Sequence, residues 1–226
     1  MSRSGKDPIK RVRKAKKRTA SSTRWLERQL NDPYVRQAKA DGYRSRAAYK
    51  LIELDERFGL IRGATRVVEL GITPGGWSQV VRKVSPSSAI VGIDLLPTDP
   101  IEGVTIFEMD FMDDAAPEKL ESALGGPPDL VLSDMAANTV GHKQTDHLRT
   151  MGLVEAGAWF AVETLEKGGA FVWSGGGIGC GHEVESAQYS DRCPNRGHSG
   201  VYRRGLSAAA VGLSGLHRAV RGGGAD

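Results

Sequence analysis

Three carboxylates and a run of glycines are spaced along this chain in a way that suits the binding of a nucleoside. Residues 66 to 79 read Arg-Val-Val-Glu-Leu-Gly-Ile-Thr-Pro-Gly-Gly-Trp-Ser-Gln, a short apolar run, a Gly-rich turn and the start of a helix near Gly76. Gly71 and Gly75 let the backbone approach a bound molecule in conformations a side chain would forbid, and the helix start that follows, with Trp77 in its first turn, presents unpaired N–H groups. Asp94 ends the next apolar run, where an acid at a strand C-terminus accepts hydrogen bonds from ribose hydroxyls. Asp110 follows the run 104–108 and is placed to accept from an exocyclic amine, and Asp134 follows the run 129–133. Neither Gly-x-Gly-x-x-Gly nor Gly-Lys-Ser/Thr occurs in the loop, which disfavours a dinucleotide oxidoreductase and a phosphate loop.

These residues need a sheet to hold them. Apolar runs at 67–70, 90–94, 104–108, 129–134 and 170–173 alternate with helical patterns near 76–84, 116–124 and 147–167. Such alternation predicts a parallel sheet covered on both faces, with ligands at the strand C-termini where the strand order reverses. Upstream, 34–40 reads as a short helix, and 45–58 carries Ala48, Leu51, Ile52 and Leu54 at helical spacing with Lys50 among them.

The chain resembles the FtsJ/RrmJ-type ribosomal RNA large-subunit 2′-O-methyltransferases, the methyltransferase E family. The resemblance is carried by Ser21-Ser22-Thr23-Arg24-Trp25-Leu26, Arg44-Ser45-Arg46-Ala47-Ala48-Tyr49-Lys50-Leu51, Gly-Gly-Trp-Ser-Gln, Asp94-Leu95-Leu96-Pro97, Asp110-Phe111 and Ser133-Asp134-Met135-Ala136-Ala137-Asn138, and it covers roughly residues 20 to 172. It implies an α/β Rossmann-like fold that binds S-adenosyl-L-methionine through Gly71, Gly75, Trp77, Asp94, Asp110 and Asp134. The implied reaction is methylation of a uridine 2′-OH in 23S ribosomal RNA of the large subunit, by a cytoplasmic monomer with no metal and no DNA partner. Lys50 and Asp134, with a second Lys and a Glu, would orient the hydroxyl, the second Lys accepting its proton. Ser174 stands where that second Lys belongs, and the Glu has no counterpart that aligns. The alternative is therefore an RNA- or ribosome-binding protein of the same fold with impaired catalysis.

Charge and composition divide the chain in three. With 39% hydrophobic residues in 226, it can bury one sizeable core. The formal charge is +4, yet residues 1 to 18 alone hold nine Lys/Arg, including Lys10, Arg11, Arg13, Lys14, Lys16, Lys17 and Arg18, against one Asp. Basicity thus belongs to an arm, 1–20, of the kind that neutralises nucleic-acid phosphates. Arg24, Arg44 and Arg46 extend it as a basic shelf. No stretch reaches the ~20 apolar residues of a membrane span. A methyltransferase domain is expected over 21–172. The last 54 residues, 173–226, hold 13 of the 29 glycines and show no clear strand, so the composition predicts a poorly ordered tail and missing or distorted final strands. A change of reading frame near residue 173 would produce such a composition. Cys180, His182, Cys193 and His198 match no standard zinc spacing.

Overall fold

The computed structural model describes residues 32–137, 140–174, 188–189 and 199–204, together with Thr23 and Glu27. Seven strands form one sheet in the order β3-β2-β1-β4-β5-β7-β6. They are β1 (Arg66–Leu70), β2 (Ala89–Asp94), β3 (Val104–Glu108), β4 (Leu130–Ser133), β5 (Ala170–Ser174), β6 (Gln188–Tyr189) and β7 (Ser199–Arg203). Strands β1 to β5 are parallel, and β7 runs antiparallel to both β5 and β6. Five helices complete the described fold: α1 (Pro33–Ala40), α2 (Ala47–Phe58), α3 (Gly76–Val84), α4 (Ala116–Leu124) and α5 (Lys143–Thr164).

The central strands are apolar on both faces because both faces are covered. Alternate residues divide between two cores. Val67, Ile90, Leu130, Leu132 and Val172 face Leu51 and Leu54 of α2 and Trp77, Val80 and Val81 of α3. Val68, Val91, Val131 and Phe171 face Leu120 of α4 and Phe160 and Ala161 of α5. Burial of these side chains, at about 1.5–3 kcal/mol each, is the main favourable term.

Local signals fix the helix ends. The Asp32 side chain caps α1 by accepting the Tyr34 N–H at 2.9 Å. Asp55 accepts the N–H groups of Leu60 and Ile61, each at 2.8 Å, just past the left-handed Gly59 that ends α2. Tyr49 of α2 lies between Tyr34 and Tyr43, with ring centroids 6.2 and 5.8 Å away, and so docks α1 onto α2.

Composition gives no strand beyond residue 173, and here the structure differs. β5 continues to Ser174, and Ser199–Arg203 pairs along its outer edge. Val201 and Tyr202, 5% and 8% exposed, sit opposite Val172 and Phe171 and enlarge one core each. Five residues with two strand formers suffice because β5 supplies a ready row of backbone partners. The outer edge of β5 is thus covered, and the pairing is extended by Arg204 N–H to Gly169 O at 2.8 Å and Gly168 N–H to Arg204 O at 2.7 Å.

Candidate active site

Strand order reverses at β1, whose neighbours are β2 and β4. At its carboxyl end the chains diverge and leave a crevice. The Gly71 N–H bonds Ile93 O at 2.9 Å, and the Asp134 N–H bonds Leu70 O at 3.1 Å, so both rims of the crevice are tied to the sheet. Gly71, at φ 79°, packs so closely on the Met135 backbone that a Cβ would lie 2.9 Å from its nitrogen. Gly75, at φ 99°, caps α3, and a Cβ there would run into the Ile101 side chain.

A cavity of about 230 Å³ opens at this crevice. Asp94, Asp110 and Asp134 border it together with Gly71 and Thr73, and its apolar wall includes Ile93, Leu95, Met109, Phe111 and Leu153. Three strand-end acids far apart in sequence are thus brought to one cavity. Asp94 is held by two backbone donors: Thr73 N–H to Oδ2 and Leu96 N–H to Oδ1, each at 2.9 Å. Asp110 Oδ1 accepts the Met112 N–H at 2.9 Å. Each carboxylate keeps further lone pairs for a ligand.

Beside the cavity, Lys50 of α2 reaches the ends of β4 and β5. Its Nζ lies 3.5 Å from Asp134 Oδ1 and 2.8 Å from Ser174 Oγ. Ser174 is 1% exposed. Burial pushes the Asp134 carboxyl above the usual range, while the Lys50 charge and the Ser174 hydroxyl pull it back, with a smaller contribution from Arg46.

Not every expected residue enters the cavity. The Trp77 indole turns into the core, 2% exposed, and its Nε1 donates to Ala47 O at 2.7 Å. Trp77 can therefore serve a ligand only through its backbone N–H in the first turn of α3. Arg44 spends its guanidinium on the protein itself, donating to Asp99 O at 2.6 Å, Pro100 O at 2.7 Å and Pro74 O at 3.3 Å. Those bonds fasten the loop after β2 to the glycine turn. Arg46 is ion-paired with Asp32. Lys10, Arg11, Arg13, Lys14, Lys16, Lys17, Arg18 and Arg24 lie outside the described residues, as do Cys180, His182, Cys193 and His198.

One residue escaped the sequence reading. Glu69, 2% exposed, sits on β1 between two apolar neighbours and accepts a short hydrogen bond from the Ser78 hydroxyl at the start of α3. Burial pushes its carboxyl up to about 8; Ser78 opposes the rise, and the charges of Asp134 and Asp94 add to it. The signal was an acid inside a strand otherwise apolar on both faces.

A mostly parallel sheet of this order, with an acid-rimmed cavity at its switch point and a Lys-Asp pair beside it, defines a Rossmann-like fold. The FtsJ-like methyltransferase family model matches residues 43–175. Ribosomal RNA large subunit methyltransferase E of Erythrobacter litoralis is 80% identical over 172 residues, covering 76% of this chain and 78% of its own length. The protein of the same name from Novosphingobium aromaticivorans is 78% identical over 172 residues, with the same coverage. A crystal structure assigned as a ribosomal RNA methyltransferase from Plasmodium falciparum superposes with a TM-score of 0.64 at 27% identity, covering 72% of this chain and 98% of that one. The chain belongs to the FtsJ-like methyltransferase family.

Proposed function

We propose that this protein methylates a uridine 2′-OH in 23S ribosomal RNA of the large subunit, using S-adenosyl-L-methionine. The observation that carries the reading is the Lys50–Asp134 pair at the mouth of a cavity bordered by Asp94 and Asp110. The names of its close relatives support ribosomal RNA as substrate.

The residues present fit the cofactor. Asp94, with both oxygens already oriented by backbone N–H groups, suits a ribose diol, and Asp110 suits an exocyclic amine. Ile93, Leu95, Met109, Phe111 and Leu153 offer apolar walls to a base, and the acids around the cavity suit a cation. The backbone amides of Gly76 and Trp77 begin α3 and offer unpaired donors beside Gly75. When bound, the cofactor supplies an electrophilic methyl group on a sulfonium.

Lys50 and Asp134 then have the task of holding the acceptor hydroxyl in line, since orientation within the site replaces a bimolecular encounter. The hydroxyl must lose its proton. Asp134 is the carboxylate at hand, and its raised pKa makes it a better proton acceptor than an ordinary carboxylate. Lys50 favours the developing alkoxide through its charge. The basic arm 1–20, with Arg24 after it, provides the sequence-independent attraction to RNA phosphates.

Ser174 favours a second reading. A neutral hydroxyl at the end of β5, bonded to Lys50 Nζ at 2.8 Å, stands where the family resemblance implies a second lysine. On that reading the protein binds cofactor and ribosomal RNA but does not turn over. A single-turnover methylation assay on large ribosomal subunits separates the two: tight cofactor binding without product leaves only the binder. Saturable uptake of S-adenosylmethionine, but not of a nicotinamide dinucleotide, is expected in calorimetry, and its absence would sink both. The reading also places the protein in the cytoplasm as a monomer. Among the described residues no helix is long and apolar enough to cross a membrane.

A further inference from the structure

Three tyrosines lie side by side where α1 meets α2, and the reaction above does not use them. The Tyr49 ring stands between those of Tyr34 and Tyr43, with centroids 6.2 and 5.8 Å away, and its hydroxyl donates to Asp41 Oδ2 at 2.5 Å. Lys83, in the last turn of α3, holds its Nζ 3.9 Å from the Tyr43 ring centroid. Docking of α1 onto α2 accounts for Tyr43 and Tyr49, which are half-buried. It does not account for Tyr34, which is 39% exposed. The row is also tied to the candidate active site. Asp32 accepts the Tyr34 N–H on Oδ1 at 2.9 Å and the Arg46 guanidinium on Oδ2. Arg46 stands one helical turn, about 6 Å, before Lys50, and its charge reaches Asp134. Residues 32–50 hold five Lys/Arg against two Asp, whereas residues 51–226 hold 23 Asp/Glu against 15 Lys/Arg. The tyrosines thus belong to a positive stretch of a chain that is negative beyond it.

Flat π faces beside cations suit unpaired bases, which are free to stack on a side chain, better than a duplex, whose bases already stack on one another. We infer that this face holds a single-stranded stretch of RNA next to the nucleotide being modified: a base stacks on the open side of Tyr34, and a phosphate further along the strand pairs with Lys83. This deepens the ribosomal RNA reading above and rests on it. Tyr43 and Tyr49 serve by holding Tyr34 in place. Stacking tolerates any base, so the face supplies affinity and register along the strand, bringing one ribose to Lys50 and Asp134 while the bases beside it are anchored.

The test is fluorescence titration of the full chain with a short single-stranded RNA of mixed sequence carrying 2-aminopurine, whose emission falls on stacking, and with the same RNA annealed into a duplex. The single strand should bind more tightly than the duplex and be quenched. Tyr34→Leu, which keeps an apolar contact for Tyr49 but has no ring, should lose the quenching and bind the single strand roughly five- to a hundredfold more weakly. Tyr34→Trp should keep both. Lys83→Gln should lower the slope of log affinity against log salt by about 0.7. Affinity for S-adenosylmethionine should be unchanged in Tyr34→Leu, because Tyr34 does not border the cavity. If that variant loses cofactor binding as well, its fold is damaged and Lys83→Gln decides, an unchanged salt slope overturning the inference. Quenching and affinity that persist in Tyr34→Leu overturn it and leave the face to helix packing or to a protein partner, with the ribosomal RNA reading intact. Equal affinity for the duplex overturns it too. Failure of the unaltered protein to bind either RNA is a separate outcome, which removes the ribosomal RNA reading itself and the inference with it.

Discussion

Lys50, Asp134 and Ser174 meet because three elements end at one point, and each has a different electrical state to contribute. Replacing Lys50 with Ala should abolish methylation and leave cofactor affinity unchanged; loss of both together would mean that Lys50 is structural. The same change removes the main cation opposing the rise in the Asp134 pKa. A carboxyl-carbon NMR titration should show Asp134 moving further upward in Lys50→Ala. Asp94→Ala deletes a carboxylate already oriented by Thr73 and Leu96. It should weaken cofactor binding roughly ten- to a hundredfold by calorimetry, the worth of a charged hydrogen bond, and unchanged affinity would count against the pocket as drawn. Glu69 makes a stability prediction of its own. Its folded pKa of about 8 lies above the unfolded value of about 4.5. The folded state therefore binds more protons between those values, and stability falls as pH rises through that window, by at most about 5 kcal/mol. Denaturant melts of Glu69→Gln against the unaltered protein should lose that pH dependence.

At the scale of elements, the informative case is β7. It supplies Val201 and Tyr202 to opposite faces of the sheet and the backbone partners of β5. A buried polar group introduced there removes apolar contact and adds desolvation cost. Val201→Asp is expected to destabilise by about 2–4 kcal/mol, or a fall in Tm of several degrees to more than ten for a domain of this size. Thermal unfolding checks it, and an unchanged Tm would mean that β7 adds nothing to the sheet. The ends of β4 and β5 also hold Asp134 and Ser174, so the variant should reduce methylation as well if the edge strand stiffens the site. By contrast α3 depends on a single αL glycine at its start and on Trp77, which ties it to α2 through Ala47.

For the whole molecule, charge is segregated. The first 18 residues hold nine of the 31 Lys/Arg, while residues 19 to 226 carry a net negative formal charge. Binding to ribosomal RNA should accordingly be strongly salt-dependent, and deleting residues 1–18 should flatten the plot of log affinity against log salt by several units. Cofactor affinity should not move, because none of the cavity-lining residues belongs to the deleted segment. An unchanged salt slope after the deletion would show that other cations, Arg46 among them, carry the RNA contact.

The succession of strands and helices was legible in residue order, because apolar runs of strand length and helical spacing are local properties. Val104–Glu108 and Ala116–Leu124 fall where the pattern put them, and the acids at Asp94, Asp110 and Asp134 stand at strand ends as expected. Side-chain direction was not legible. Trp77 and Arg44 belong to motifs that suggest ligand contact, yet one fills the core and the other fastens a loop, since packing partners 30 and 55 residues away decide where they point. Nor could a five-residue strand be seen in a Gly-rich segment: Ser199–Arg203 is a strand only because the edge of β5 is there to pair with it. The sequence by itself determined the class of fold and which acids would rim the cavity. Tertiary structure alone decided that Lys50 meets Ser174 across 124 positions, and that Glu69 is sealed from water behind them, because both follow from which strands lie side by side.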